Sequence, residues 1–325
     1  METEILNSKE IHKAARLVVN NKLVAFPTET VYGLGANAFN VRAVRRIFKA
    51  KQRPFSDPLI VHVSSLKMAE TVAVFTPEAK KLAKEFWPGP LTLVLKKRPA
   101  VSDMVTAGKQ TVGVRMPAHV LALKLIQLSG VPIAAPSANV FSHTSPTSWE
   151  HVMEDLEGKI EAVIKAGRCR VGVESTVVDM TAKLPKILRP GGLPYIHLKK
   201  ALPNLLDYSG TKSKKTPGQY KYHYSPKARV VLVKSFKDLR QQLKKNIALP
   251  AGVIIFNEWK NAFFGENVIL YKWGSKNSLS SLARRLYAGF RKLDGQGVKI
   301  IFCPLPSEQG LGKAIVNRLT KASGL

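Results

Sequence analysis

Through residues 1–195, short apolar runs alternate with longer segments in which apolar residues recur every third or fourth position. This alternation narrows the folds open to the chain more than any other feature. The runs at 23–26, 59–63, 91–95, 111–115, 133–135, 162–165, 175–179 and 186–188 read as buried strands. Segments 9–20, 41–51, 77–86, 118–128 and 147–156 carry helical periodicity between them. Strands interleaved with helices predict an α/β fold. The closeness of several short strands predicts a mixed rather than purely parallel sheet.

The rhythm breaks over residues 196–228, which divides the chain into a first domain (1–195), a linker (196–228) and a second domain (229–325). Residues 210–218 are polar and rich in turn formers, as a linker should be. Residues 219–226 differ, with Tyr220, Tyr222, His223 and Tyr224 in close succession. They read either as aromatics tucked against a domain surface or as a segment that closes over a ligand. From 196 to 230, eight Lys or Arg face the single acid Asp207. That balance favours a mobile lid that settles on an anionic ligand and gates its entry and release. Beyond the linker, strands at 230–233, 252–256, 268–271 and 298–302 alternate with helices at 235–245, 278–292 and 311–321. This predicts a small Rossmann-like sheet, and without a Gly-x-Gly-x-x-Gly fingerprint no dinucleotide is assigned to it.

A chain of 325 residues, 45% hydrophobic and 22% charged, has the composition of a globular protein. No run approaches the length of a membrane span, and residues 1–10 lack an apolar signal core, so the cytoplasm is the expected compartment. Cys169 and Cys303 form no Cys-x-x-Cys pair, which argues against a disulfide framework or a cysteine zinc site. The charge is unusual: 51 Lys plus Arg against 22 Asp plus Glu, a formal +29. Such a surface attracts nucleotides, RNA or anionic membranes, and a lysine-rich proteome would also produce it.

Five islands carry candidate chemistry. Residues 27–35, Pro-Thr-Glu-Thr-Val-Tyr-Gly-Leu-Gly, follow the strand at 23–26 and precede the basic helix at 41–51. Open α/β sheets bind ligands at such strand ends, and the two glycines permit unusual backbone angles or a close ligand. A plain tight turn is the alternative. Lys51-Gln-Arg53-Pro, followed by Ser56, Asp57 and His62, presents two cations from a helix end, suited to phosphate oxygens or simply to solvent. Arg115 ends the apolar strand at 111–115 and needs an anionic partner, from the protein or from a ligand carboxylate. Pro136-Ser-Ala-Asn139 places hydroxyl and amide groups at another strand end, before Ser145, which reads as a helix cap. Last come Ser175 and Thr176 in 172–179, and Arg189 in Arg-Pro-Gly-Gly. The Walker, nucleophile-elbow and His-Glu-x-x-His motifs are missing.

In order, Pro-Thr-Glu-Thr-Val-Tyr-Gly-Leu-Gly, Lys-x-Arg-Pro, Pro-Ser-Ala-Asn, Ser-Thr-Val-Val-Asp and Arg-Pro-Gly resemble the YrdC-type threonylcarbamoyl-AMP synthases. Residues 216–226, Thr-Pro-Gly-Gln-Tyr-Lys-Tyr-His-Tyr-Ser-Pro, resemble the interdomain segment of the long form. The resemblance covers essentially the whole chain. It implies a twisted mixed α/β sheet around a positively charged cavity, like the DHBP synthase fold, with a Rossmann-like second domain. It implies a nucleotidyltransferase that turns L-threonine, bicarbonate (or CO2) and ATP into threonylcarbamoyl-AMP and pyrophosphate. A separate transferase complex then modifies adenosine 37 of tRNA. Mg2+ accompanies the ATP.

Carried over by residue, the resemblance places Thr30, His62, Arg115, Ala135 and Ser175 around L-threonine. Lys51, Arg53, Asp57, Thr111, Ser137, Asn139, Ser145 and Arg189 hold ATP, with Lys51 and Arg53 the catalytic cations. Tyr224, with His223 beside it, covers the site, and the metal ligands stay open. The chain departs from the family at Phe141-Ser142-His143, where a Ser-Gly pair is usual, which weakens the carry-over to Ser145. Two other readings remain: an RNA-binding protein that takes tRNA or double-stranded RNA in the basic cavity, and a carbamoyltransferase of hydrogenase maturation. The latter normally brings acylphosphatase and zinc-finger modules, which this chain has no room for. Monomer or dimer is left open.

Overall fold

The computed structural model describes residues 2–210, 224–245, 250–259 and 267–324. Residues 211–223 of the expected lid, His223 among them, lie outside the described residues. The described residues form a mixed sheet of eleven strands and a separate four-stranded sheet. In spatial order the large sheet runs through Val24–Phe26, Gly33–Asn37, Ile133–Ala135, Ile60–His62, Thr111–Arg115, Leu91–Lys97 and Thr176–Asp179 to the edge strand Lys186–Arg189. Val24–Phe26, Gly33–Asn37, Ile133–Ala135 and Ile60–His62 pair antiparallel in turn. Ile60–His62 with Thr111–Arg115, and Leu91–Lys97 with Thr176–Asp179, pair parallel. Strand Gly33–Asn37 is the main departure from the pattern expected, since the glycines of that stretch read as a turn. The small sheet, Arg229–Val233, Ile300–Pro304, Ala251–Phe256 and Val268–Gly274 in spatial order, is parallel throughout.

Local chemistry explains where elements start and stop. In helix Val41–Lys51, Asn40 caps the N-terminus by accepting from the Ala43 amide at 2.9 Å. Val44, Ile47 and Phe48 face the core while Arg42, Arg45 and Lys49 face solvent. The helix stops at Gln52, whose φ of 54° is left-handed, and this turn aims Lys51 and Arg53 inward. Helix Trp149–Leu156 starts two residues later than expected, with Ser148 and not Ser145 at its N-cap. Ser145 is thereby released for another role.

Residues early in the expected linker pack with the large sheet. Helix Tyr195–Ala201 follows Pro194, and Leu198, Ala201, Leu202 and Leu205 join the main core. Leu206 exchanges backbone bonds with Pro185 and Ile187 beside the edge strand. Apolar spacing through 198–205 is what ties this stretch down, despite its lysines.

The two sheets share an apolar cluster. Val31 and Val173 from loops of the large sheet pack with Trp273, Leu286, Tyr287 and Phe290 of the second domain. Helix Leu279–Gly295 approaches so closely that a Cβ on Gly172 would lie 2.3 Å from the Arg284 Cα. The φ of +82° at Gly172 also favours glycine. No helix among the described residues is long and apolar enough to cross a membrane. Gly172→Ala is expected to cost roughly 1–3 kcal/mol of stability by chemical denaturation. An unchanged denaturation midpoint would contradict this packing.

Candidate active site

Strand ends of the large sheet converge on a common cavity. Thr28 and Val31 come from the loop after Val24–Phe26, and Gly33 opens the next strand. Ile60 and His62, Arg115, Ala135 and Ser137 arrive from three neighbouring strands. Glu174 and Ser175 precede Thr176–Asp179, Arg189 ends Lys186–Arg189, and Arg53 follows helix Val41–Lys51. Tyr224 completes the wall from the second domain's apolar cluster.

Three guanidiniums line this cavity, each fixed by a different device. Arg53 pairs with Asp57 at 2.7 Å, with both side chains buried, and donates to the Asp57 and Pro58 carbonyls at 3.2 and 2.9 Å. Arg115 pairs with Glu29 at 2.8 Å and donates to the Gly89 carbonyl. Arg189 donates from Nη2 to the Ser175 carbonyl at 3.0 Å and to Ser175 Oγ at 3.2 Å. Ser175 Oγ also meets Thr92 Oγ1 at 2.7 Å. Such pairing is what permits guanidiniums in a buried site.

Lys51 is buried and donates to the backbone carbonyls of Ser137 and Asn139. Burial, then repulsion from Arg53, holds its pKa well below the usual lysine value. Its amine therefore fixes the loop after Ile133–Ala135, and it does not line the cavity. Burial, then the Arg115 charge, pushes His62 down to about 3, so its imidazole is neutral at physiological pH. His62 Nδ1 has no hydrogen-bond partner among the described residues. Burial pushes the Asp57 carboxyl up against the pull of Arg53.

The structure brings together Arg53, His62, Arg115, Ala135, Ser137, Ser175, Arg189 and Tyr224 of the anticipated set. Thr30, Lys51, Asp57, Thr111, Asn139 and Ser145 do not line the cavity. Thr30 turns its hydroxyl to Thr28 Oγ1 at 2.8 Å, and Thr28 is the hydroxyl that reaches the cavity. Thr111 begins the strand that Arg115 ends, on the same sheet face but about 13 Å away at 3.3 Å per residue. Asn139 spends its amide on the Val140 and His143 carbonyls, which shapes the loop. Ser145 donates to Glu174 at 2.6 Å instead of capping a helix. Gly33 lines the cavity, whereas Gly35 makes room for packing. A Cβ there would lie 2.7 Å from Ile133 and 2.8 Å from the Phe26 ring, which in turn stands edge-on to His62.

Four residues of the site escaped the sequence reading: Glu29, Glu174, Tyr287 and Arg318. Glu29 lay within a singled-out motif, and it supplies the anionic partner that Arg115 was expected to need. Glu174 accepts from Ser145, from Tyr287 Oη at 3.1 Å and from Arg318 Nε at 2.6 Å. Burial would raise its pKa, but Arg318, Arg189 and the Ser145 hydroxyl together hold it below the usual value. Arg318 also lies 4.9 Å from the Tyr224 ring centroid, and Tyr224 stacks on Tyr287.

The neutral His62 has a consequence for stability. Its folded pKa is depressed, so the unfolded chain takes up a proton below about pH 6.5 while the folded chain resists to about pH 3. Stability from this group is full above pH 6.5 and is lost as pH falls, by about 1.4 kcal/mol per pH unit. His62→Gln is expected to flatten the stability–pH slope between pH 6 and pH 4 by that amount. A slope unchanged from the parent would contradict the buried neutral imidazole.

The geometry has relatives. A family model described as telomere recombination, covering the Sua5, YciO and YrdC proteins, matches residues 16–191. A second, described as threonylcarbamoyl-AMP synthase C-terminal domain, matches residues 182–324. The chain is 45% identical to the threonylcarbamoyl-AMP synthase of Pyrococcus abyssi, over 99% of this chain and 98% of that one. It is 40% identical to that of Bacillus subtilis, over 98% and 94%. The crystal structure of P. abyssi Sua5 complexed with L-threonine superimposes with a TM-score of 0.92 at 44% identity, covering 99% of this chain and 98% of that one. The E. coli YciO structure matches at a TM-score of 0.52 and 25% identity, over 59% of this chain and 96% of its own. The chain therefore belongs to the Sua5/YciO/YrdC family, in the two-domain form of the threonylcarbamoyl-AMP synthases.

Proposed function

We infer that the chain is an L-threonylcarbamoyladenylate synthase, making threonylcarbamoyl-AMP and pyrophosphate from L-threonine, bicarbonate or CO2 and ATP. The observation that carries this is full-length similarity to a relative solved with L-threonine. The cavity supports it by gathering Arg53, Arg115 and Arg189 in one lining, cations suited to a carboxylate and a triphosphate. In the reaction the threonine nitrogen bonds to the carbon of CO2 and loses a proton. The resulting carbamate oxygen then attacks the α-phosphorus of ATP. The bond to the β-phosphate breaks, and its electron pair leaves with pyrophosphate.

Residue roles follow from charge and reach. Arg115, oriented by Glu29, takes the threonine carboxylate, while Ser175, Ala135 and the neutral His62 shape the pocket around the side chain. Arg53 and Arg189 offset the repulsion between carbamate and triphosphate, which is the main barrier when two anions must meet. Lys51 acts through the Ser137–Asn139 backbone rather than on phosphate itself, so the catalytic assignment rests more on Arg53. The adenine side extends along the sheet face toward Asn139 and Thr111. Tyr224 shields a labile carbamate from water.

No cluster of three or more His, Cys, Asp or Glu that could hold a metal occurs among the described residues. Asp57 and Glu174 are each paired with an arginine. Mg2+ would enter on the phosphate oxygens of ATP, as that ion commonly does. The product would pass to a separate transferase acting on tRNA.

Pyrophosphate release should require L-threonine and bicarbonate together. Arg115→Met is expected to raise the KM for threonine roughly 10- to 100-fold. Arg53→Met is expected to lower kcat by roughly 100-fold. Pyrophosphate release without threonine, or an Arg53→Met kcat within twofold of the parent, would overturn these assignments.

A further inference from the structure

We propose that Arg318 and Tyr287, both from the second domain, are positioning residues for the phosphate-binding side of the cavity: they satisfy the buried Glu174 carboxylate and so keep it from drawing Arg189 off the position that Ser175 sets. This rests on the cavity being the ATP and threonine site. Glu174 lines that cavity and precedes Ser175, whose carbonyl and hydroxyl hold Arg189. Its carboxylate lies where a triphosphate would approach, and an unpaired anion there would repel the substrate and draw in the nearest cation.

Arg318 is completely buried in helix Gly312–Ser323, and its Nε donates to Glu174 Oε2 at 2.6 Å. Its Nη1 is held by Asn317 Oδ1 at 2.7 Å, which fixes the plane of the guanidinium. Tyr287, from helix Leu279–Gly295, donates its hydroxyl to the same carboxylate, and Ser145 donates to the other oxygen. One carboxylate thus joins the Ser175 strand, the Asn139–Ser145 loop and two helices of the second domain. Arg189 and Arg318 act on a common region: burial, and then these two charges, push Lys321 down to about 8. Tyr224 lies between the groups, over Arg318 and stacked on Tyr287.

Removing Arg318 leaves a buried carboxylate with hydroxyl donors alone, which is costly. The other cation whose field already reaches Glu174 is Arg189. In Arg318→Met, Arg189 is drawn toward Glu174 and away from phosphate. Removing the anion as well, in Glu174→Gln with Arg318→Met, releases Arg189 again. A residue that only held the domains together would lower the folded fraction, and with it apparent kcat, without changing KM.

The test uses the full chain, with pyrophosphate release measured against ATP and against threonine. Arg318→Met is expected to raise the KM for ATP at least about fivefold, with kcat and the KM for threonine changed by less than about twofold. The double variant is expected to return the KM for ATP to within about twofold of Glu174→Gln alone. Tyr287→Phe, which deletes one hydroxyl, is expected to raise the KM for ATP by about twofold and serves if Arg318→Met does not fold. An unchanged KM for ATP in Arg318→Met, or in Tyr287→Phe if Arg318→Met does not fold, overturns the proposal, as does a double variant as impaired as Arg318→Met. A parent chain that releases no pyrophosphate with all three substrates would instead overturn the functional reading.

Discussion

A guanidinium can be buried only where an anion or a set of carbonyl oxygens meets it, and the site is organised around that constraint. Arg53 with Asp57, Arg115 with Glu29 and Arg318 with Glu174 are all buried pairs. Arg189 rests on Ser175. Each pairing costs desolvation, and its return is orientation: the plane of each charge is set before any ligand arrives. For a reaction between two anions, pre-set cations are the chief contribution a protein can make, since no proton needs to be moved at phosphorus.

The mixed sheet is what gathers these groups. Antiparallel neighbours from Val24–Phe26 to Ile60–His62 bring the Thr28 loop, Ser137 and His62 to a common cavity. Parallel pairing then sets His62 beside Arg115. Phe26, accommodated by Gly35, supports the His62 ring from behind. Among the described residues the second domain adds no strand to this sheet, yet Tyr287 and Arg318 reach Glu174 in the cavity wall.

Much of this was legible in the sequence where the signal was local. The strand at 111–115 and the helix at 41–51 stand where periodicity puts them, because each has a clear apolar face and a clear stop. Strand-end residues such as Arg115, Ser137 and Arg189 reached the cavity for the same reason. Gly33–Asn37 did not read as a strand, because glycines hide β propensity while serving the packing of Phe26. Thr30 was preferred over Thr28, since two hydroxyls two residues apart cannot be told apart until one accepts the other's bond. Glu174 and Arg318 are 144 residues apart, and nothing local marks either as the other's partner. Ser145 read as a cap because Ser148, the actual N-cap, lies only three residues away.

The central claim is that pre-oriented arginines bring threonine and ATP together in one cavity. A crystal structure of the full chain with L-threonine and a non-hydrolysable ATP analogue tests it most directly. The account predicts the threonine carboxylate on Arg115, the α-phosphate between Arg53 and Arg189, and the Glu174–Arg318 pair intact beneath Tyr224. Phosphates bound away from Arg53 and Arg189, or Arg115 still turned wholly to Glu29 beside an unpaired threonine carboxylate, would contradict it.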